Sequence, residues 1–347
     1  MISIKKIEKS FFNSLKYYHK KYKSNHWKRY NYRFKLFKKE NLLNFRNNGL
    51  SNGLDDQNKI PIIRRELSLL KKLINYRFIK KNLIKTNFGN LNNYIKIKDL
   101  FLDHGQLYFI YWLYFLKKKI KKIKYICEIG AGYGGLSTKI LNNYSKTKYL
   151  IIDLPEANFL SSFFLSRNYP NKKILLAYEK KREVIYKSDF KKYDIIIIPP
   201  WFKVEEIKFD LFINTRSMME MDKDIIYEYF NFIQNNISEK GYFFNVNRYF
   251  KNTVKKPIKL TDYPYDNNWE TIISKPSWKQ RHIRILLTQR CKNPKNNVQK
   301  KLKKLEKLSE RYFLKEKERT PKLINSYYSI KKKLYEIYMY FKLSYND

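Results

Sequence analysis

The chain has 347 residues, a net charge of +43 and two cysteines. That length supports a full α/β core. Two isolated cysteines exclude a disulfide-framed secreted module, and no run of about 18 apolar residues is present to span a membrane. Lys far outnumbers Arg, Asn, Ile, Tyr and Phe are abundant, and Gly and Pro are scarce. This is the bias of AT-rich coding, and the guanidinium forks that suit phosphate are not what is enriched. Nucleic acid is therefore not favoured as a partner, and no recognition module is visible.

The opening MISIKKIEKSFF lacks the continuous apolar segment of a signal peptide, which predicts a cytoplasmic protein. Residues 1–40 place Ile7, Phe11, Phe12, Leu15, Tyr18 and Tyr22 at loosely helical spacing. A turn-rich stretch follows, NFRNNGLSNGLDD from Asn44 to Asp56, with Gly49 and Gly53 as breakers. Pro61–Asn75 and Asp103–Leu116 read as helices, the second strongly aromatic. His104 and Gln106, at its start, are candidate pocket residues.

Lys124 to Glu156 is the most informative stretch, KYICEIGAGYGGLSTKILNNYSKTKYLIIDLPE. It reads as strand, glycine turn, helix and strand, with Asp153 at the tip of the second strand. The glycines permit a sharp turn and a close ligand approach, and the Asp153 carboxylate can accept hydrogen bonds from both hydroxyls of a ribose. Gly130, Gly132 and Gly135 satisfy the dinucleotide spacing G-x-G-x-x-G. Glu128 argues otherwise, because a carboxylate before the first glycine suits a cation and not a pyrophosphate.

Further strands are expected at Lys173–Tyr178, Tyr193–Ile198, Phe209–Asn214 and Gly241–Asn247, with a helix at Asp224–Asn236. Thr271–Ser274 and His282–Thr288 are expected to pair as a terminal antiparallel hairpin, unlike the parallel ending of a dinucleotide dehydrogenase. From Lys292 the chain turns to Lys and Glu, and basic helices are expected at Val298–Lys317 and Leu323–Leu343. They read as a solvated appendage, a dimer contact or a peripheral membrane contact.

Ligands in open α/β sheets bind at the carboxyl ends of the strands. That selects Glu128, Gly130, Ala131, Gly132, Gly134, Asp153, Leu154, Pro199 and Asn214 for a cofactor, Pro199 serving alternatively as a strand terminator. Glu220 and Asp222 are the best-placed carboxylates for a general base, Glu220 first; its rival role is to bind a backbone N–H or Arg216. Arg216 and Arg248 suit an acidic or polyhydroxyl acceptor. Tyr265, Asp266 and Trp269 suit a sugar, or else pack at a sheet edge. No metal-ligand cluster is evident.

E-x-G-x-G-x-G followed by a strand ending in Asp resembles the first two motifs of class I methyltransferases. With FDLFINTRSMMEM at Phe209–Met221, the chain is similar to the sugar O-methyltransferase family of bacterial surface-polysaccharide gene clusters, from about Asn44 to about Arg290. The NFRNNGLSNGLDD and YPYDNNWE stretches share in the resemblance. Arg216 stands where it implies a more neutral residue.

The resemblance implies a Rossmann-like, mostly parallel sheet with a terminal antiparallel hairpin and helical N- and C-terminal additions. Residues 1–104 are expected to form a helical cap, 105–291 the S-adenosylmethionine-binding domain, and 292–347 a basic extension. The implied activity is methyl transfer from S-adenosylmethionine to a sugar hydroxyl of a glycan or its activated precursor. A lipid or small-molecule acceptor, a nicotinamide-dependent oxidoreductase, and a basic nucleic-acid- or membrane-binding scaffold remain as alternatives.

Overall fold

Short runs of Ile, Leu, Phe and Tyr form the strands of a single sheet. They are β1 (Tyr125–Ile129), β2 (Lys148–Ile152), β3 (Ile174–Leu176), β4 (Ile195–Ile198), β5 (Phe209–Thr215), β6 (Ile237–Arg248), β7 (Trp269–Pro276) and β8 (Ile283–Arg290). A computed structural model of the chain describes residues 2–28, 37–47, 50, 59–180, 182–252, 254–278, 280–307 and 310–311. Gly49, Gly53 and the expected helix Leu323–Leu343 lie outside them.

The eight strands lie in the order β7-β8-β6-β5-β1-β2-β4-β3. From β3 across to β6 all neighbours run parallel, whereas β8 is antiparallel to both β6 and β7. The expected terminal hairpin is therefore present. The fold is a mixed α/β fold with a mostly parallel, Rossmann-like sheet. All four isoleucines of β4 are buried, as a strand covered on both faces requires.

Two apolar clusters provide that cover. On one face lie α1 (Ile4–Lys16), α2 (Ile60–Lys71), α3 (His104–Lys119), α4 (Gly135–Asn143) and α5 (Pro155–Asn168). On the other lie α6 (Lys223–Asn236) and α7 (Val298–Lys303). Phe11 of α1 meets Phe159 of α5 at 4.7 Å between ring centroids, which fixes the N-terminal helix to the sheet layer.

Several boundaries differ from expectation for local reasons. The helix expected through Asn75 ends at Lys71, and the Asn75 side chain caps a new one, Tyr76–Lys81. Strand β6 starts at Ile237, with a register shift before Tyr242 and Lys240 at φ 59°, so a bulge hides its first half from a period-two reading. The helix expected over Val298–Lys317 breaks at a turn at Lys304 and Leu305, and Glu306, Lys307, Glu310 and Arg311 are again α-helical. Among the described residues no helix is long and apolar enough to cross a membrane.

Candidate active site at the carboxyl ends of the strands

Strand order reverses at β1, whose neighbours are β2 on one side and β5 on the other. The crevice at such a reversal is where an open α/β sheet takes its ligand. Gly130 closes β1 with φ 77°, and its N–H donates to Ile152 O at 2.8 Å. A Cβ there would lie 2.0 Å from Ser217 Oγ, so the loops after β1 and β5 touch only because this residue is glycine. Gly132, at φ 59°, faces open space.

Asp153 accepts from Gly132 N and from Leu154 N, each at 2.8 Å. Burial pushes its carboxyl up to about 7, against the pull of those two N–H groups. Glu128 is buried beneath the glycine turn, where its Oε2 accepts from Ser137 Oγ at 2.6 Å and from the Tyr149 hydroxyl at 2.7 Å. Its Oε1 is buried and has no hydrogen-bond partner among the described residues. An unmatched buried acceptor beside a glycine turn fits a ligand that brings a donor or a cation.

The loop after β5 is set by a ladder of buried amides. Asn214 Nδ2 donates to Ile129 O at 2.8 Å, while its Oδ1 accepts from Met218 N and from Asn247 Nδ2. Asn247 Nδ2 also reaches Asn245 Oδ1, and Asn247 Oδ1 takes Met219 N. The Asn214 side chain, expected on the cofactor, is fully buried in tying the ends of β1, β5 and β6 together. The turn it holds presents Glu220, whose Oε1 lies 3.5 Å from His26 Nε2. Burial raises the Glu220 carboxyl to about 7, opposed by Lys251, Arg216 and Arg248. Asp222 instead stands at the N-cap position of α6 without a side-chain capping bond, and its carboxylate accepts from Lys255 N at 3.0 Å.

An N-terminal arm, residues 17–28, lies across this end of the sheet. Tyr17 stacks on Tyr178, and His19 stacks on Trp201 with 5.2 Å between centroids. Lys23 pairs with Glu156 at 2.8 Å, Tyr22 donates to Glu228, and the Ser24 hydroxyl donates to Glu220 O. Tyr22 and Trp27 join Gly130, Asp153, Leu154, Pro200, Ser217 and Met221 around a cleft of about 20 Å³. Pro200 lines it, whereas the expected Pro199 is buried behind. The side chain of Ala131 packs toward the core. Gly134 caps α4 at φ 88°, backed by Leu165.

Three expected substrate residues lie elsewhere. Trp269 pairs in register with Arg290, and Gln289 with Tyr242 near the start of β6, which puts them toward the amino end of the parallel strands, away from the crevice. Trp269 and Tyr265 are fully buried, with Trp269 Nε1 on Gln234 and the Tyr265 hydroxyl taking a bond from Asn245. Asp266 pairs with Arg290 at 2.5 Å. These residues pack the sheet edge. Gln106 is likewise structural: its Nε2 donates to Asp103, and Lys139 donates to its Oε1, all buried. Arg46 completes the group at 3.2 Å from Asp103. His104 is fully buried 2.9 Å from Glu66, equally buried.

Sequence reasoning missed Tyr22, Trp27, Ser217, Tyr108 and Trp278. Tyr108 is on α3, which is buried almost all round and so has no distinguishing polar face. Trp278 sits in the β7–β8 turn, returned to the crevice side by the pairing of Arg248 with Ile283. Among the described residues no group of three or more His, Cys, Asp or Glu side chains is placed to hold a metal ion.

No family model and no curated protein matches the chain. Solved structures similar to parts of it include the N-methyltransferase NodS from Bradyrhizobium japonicum WM9 in complex with S-adenosyl-l-homocysteine. That likeness covers 63% of this chain and 98% of NodS at 11% identity and TM-score 0.39. The StiE O-MT is similar over 59% of this chain and 80% of its own (11% identity, TM-score 0.37). The mitomycin 7-O-methyltransferase MmcR is similar over 49% of each chain (11% identity, TM-score 0.35), so this chain spans about half the length of MmcR.

Proposed function

We propose that the protein is an S-adenosylmethionine-dependent O-methyltransferase acting on a sugar hydroxyl. The observation that carries this reading is the pairing, at one crevice, of the open glycine turn with two carboxylates of different kinds. Asp153 is positioned at a strand tip for ribose hydroxyls, and Glu128 is buried behind the turn with Oε1 unmatched. A pyrophosphate would meet the field of both carboxylates, whereas an ammonium or sulfonium is drawn by it. The antiparallel β8 also departs from the all-parallel ending of a dinucleotide-binding sheet.

S-adenosylmethionine, when bound, supplies a methyl group on a sulfonium. Asp153 and the Gly130–Gly134 turn would hold the nucleoside side, and Glu128 would answer the ammonium through Oε1, its Oε2 being held by Ser137 and Tyr149. Glu220 is the proton acceptor for the sugar hydroxyl. Its raised affinity for a proton suits a base working near neutral pH. Positioning of the hydroxyl contributes the larger share of the rate, because the methyl donor is already electrophilic. The arm over the crevice serves as the cap that excludes water.

Calorimetric titration with S-adenosylhomocysteine, NAD and NADP, on the wild type and on Asp153→Ala, tests the reading. Binding of S-adenosylhomocysteine alone, weakened at least about tenfold by the substitution, is expected from loss of hydrogen bonds to a charged group. Binding of NAD or NADP in its place overturns it.

A further inference from the structure

We propose that the last turns of α2 and the segment after it form a docking surface for an anionic lipid bilayer. Leu69, Leu73 and Tyr76 enter the interface, and Arg65, Lys72 and Arg77 hold the lipid phosphates. The inference is independent of the methyltransferase reading.

The inward stripe of α2 is filled by Ile63, Glu66 and Leu70, and Ile74 continues it beyond the helix end. The residues one position earlier than the last two, Leu69 and Leu73, therefore turn outward as an i, i+4 pair, 41% and 52% exposed. Tyr76, 39% exposed, joins them. Lys71 Nζ lies 4.3 Å from its ring centroid, which brings the ring back against the last turn of α2. Eight large apolar side chains stand out as exposed among the described residues, and three of them fall within the eight positions 69–76. A lone exposed leucine needs no explanation, but a cluster marks a surface that a partner covers.

Charge decides which partner. From Arg64 to Lys81 the chain carries seven Arg or Lys side chains and one acid, Glu66. Glu66 is fully buried on the inner side, 2.9 Å from His104, so over this span the outer side carries cations alone. Arg64, Arg65, Lys72 and Arg77 are exposed, and none of them pairs with a carboxylate among the described residues. The hairpin Ile95–Leu102, which packs beside α2, adds one exposed acid, Asp99, together with the exposed Lys96 and Lys98. Three of the seven cations are arginine in a chain where Lys far outnumbers Arg, and the guanidinium fork suits a phosphodiester. A second copy of this basic chain would meet like charge, and a polyanion with no apolar part would leave the leucines in water. An anionic bilayer answers both, with phosphates for the guanidiniums, the acyl boundary for Leu69 and Leu73, and the headgroup level for the Tyr76 ring.

The test is sedimentation of the full chain with vesicles of phosphatidylcholine alone and of equimolar phosphatidylcholine and phosphatidylglycerol, at physiological salt. The chain is expected to bind the anionic vesicles and not the neutral ones. Because the whole chain is basic, variants carry the decision. Arg65→Gln, Lys72→Gln and Arg77→Gln together are expected to weaken binding at least about tenfold, each cation near an anionic surface contributing about fivefold. Lys191→Gln, Lys192→Gln and Lys203→Gln remove the same charge from exposed positions elsewhere, and are expected to weaken it less than about threefold because salt screens charges away from the contact. Leu69→Ser with Leu73→Ser keeps the charge and is expected to weaken binding at least about threefold. The proposal is overturned if the chain does not distinguish the two vesicles, or if the two charge variants lose binding equally. It is also overturned if the leucine variant binds as the wild type does, which would leave a surface for polyanions such as nucleic acid. Thermal melts check that each variant folds; should one of the two α2 variants fail, the other decides by the same comparison with the control.

Discussion

Gly130 and Gly132, two residues apart, separate structural from ligand-facing roles. Gly130→Ala drives a Cβ into Ser217 and should lower the melting temperature. Gly132→Ala meets nothing within 4 Å, so only the strain of its positive φ falls on the fold, about 1 kcal/mol. Its methyl enters the open crevice, so S-adenosylhomocysteine affinity should fall by more than the melting temperature suggests; calorimetry on both variants separates the two. Asp153 and Glu220 both titrate near 7, upward of their usual range because of burial. Below that value each holds a proton, so Asp153 loses acceptor strength and Glu220 cannot take a proton. Cofactor affinity and kcat should therefore both rise with pH through about 7 and then level, measured by titration and by initial rates from pH 5.5 to 8.5. Glu220→Gln should lower kcat by about 10²–10⁴-fold and erase that rise. The same shifts act oppositely on stability. The folded chain binds more protons than the unfolded one between the ordinary carboxyl range and 7, so these two groups destabilise it progressively as pH rises across that window. Asp153→Asn should accordingly compare better with the wild type at pH 8 than at pH 4 in thermal melts.

At the scale of elements, α3 and its partners show how much packing follows from one cap. Asp103 caps α3 by accepting from Gln106 N at 3.0 Å and also faces Arg46, with Lys139 one residue removed through Gln106. Burial has brought Lys139 down to about 7, so this group stands near its limit. Asp103→Ala removes the cap, about 1 kcal/mol, and takes a carboxylate away from the buried Arg46 and Lys139, a further loss of about 3–5 kcal/mol. A fall of several degrees or more in melting temperature is expected. The β1–β2 unit and the β7–β8 hairpin were legible in the sequence because glycine spacing, terminal carboxylates and apolar runs are local signals. The positions of Tyr265 and Trp269 were not. Their composition suited a sugar platform, but only the register of β8 on β6 shows that they lie toward the other end of the sheet. Tyr108 and Trp278 escaped for the converse reason, since their neighbourhood is assembled from α3 and a hairpin turn far apart in the chain. Asn214 was rightly placed at the tip of β5, yet its amide is taken up by Ile129, Met218 and Asn247, contacts that no sequence pattern announces.

At the scale of the whole molecule, the arm of residues 17–28 joins two places that the sheet keeps apart. Tyr22 and Trp27 flank the cleft at Gly130 and Asp153, while Ser24 and His26 hold Glu220. A cleft of about 20 Å³ is of the order needed for one water, far short of a nucleoside. Filling it means that the arm shifts, and any shift at Trp27 is felt one residue away, where His26 meets the Glu220 carboxylate. On the proposed reading both substrates pass the same arm, so the arrival of one is expected to disturb the seat of the other. The kinetic signature expected of that arrangement is a compulsory order of arrival and a turnover set by departure of the spent cofactor. Lys23→Ala with Trp27→Ala loosens the arm, and stopped-flow release of S-adenosylhomocysteine should become faster while single-turnover methyl transfer becomes slower. A protein built this way trades speed of exchange for dryness at the moment of reaction.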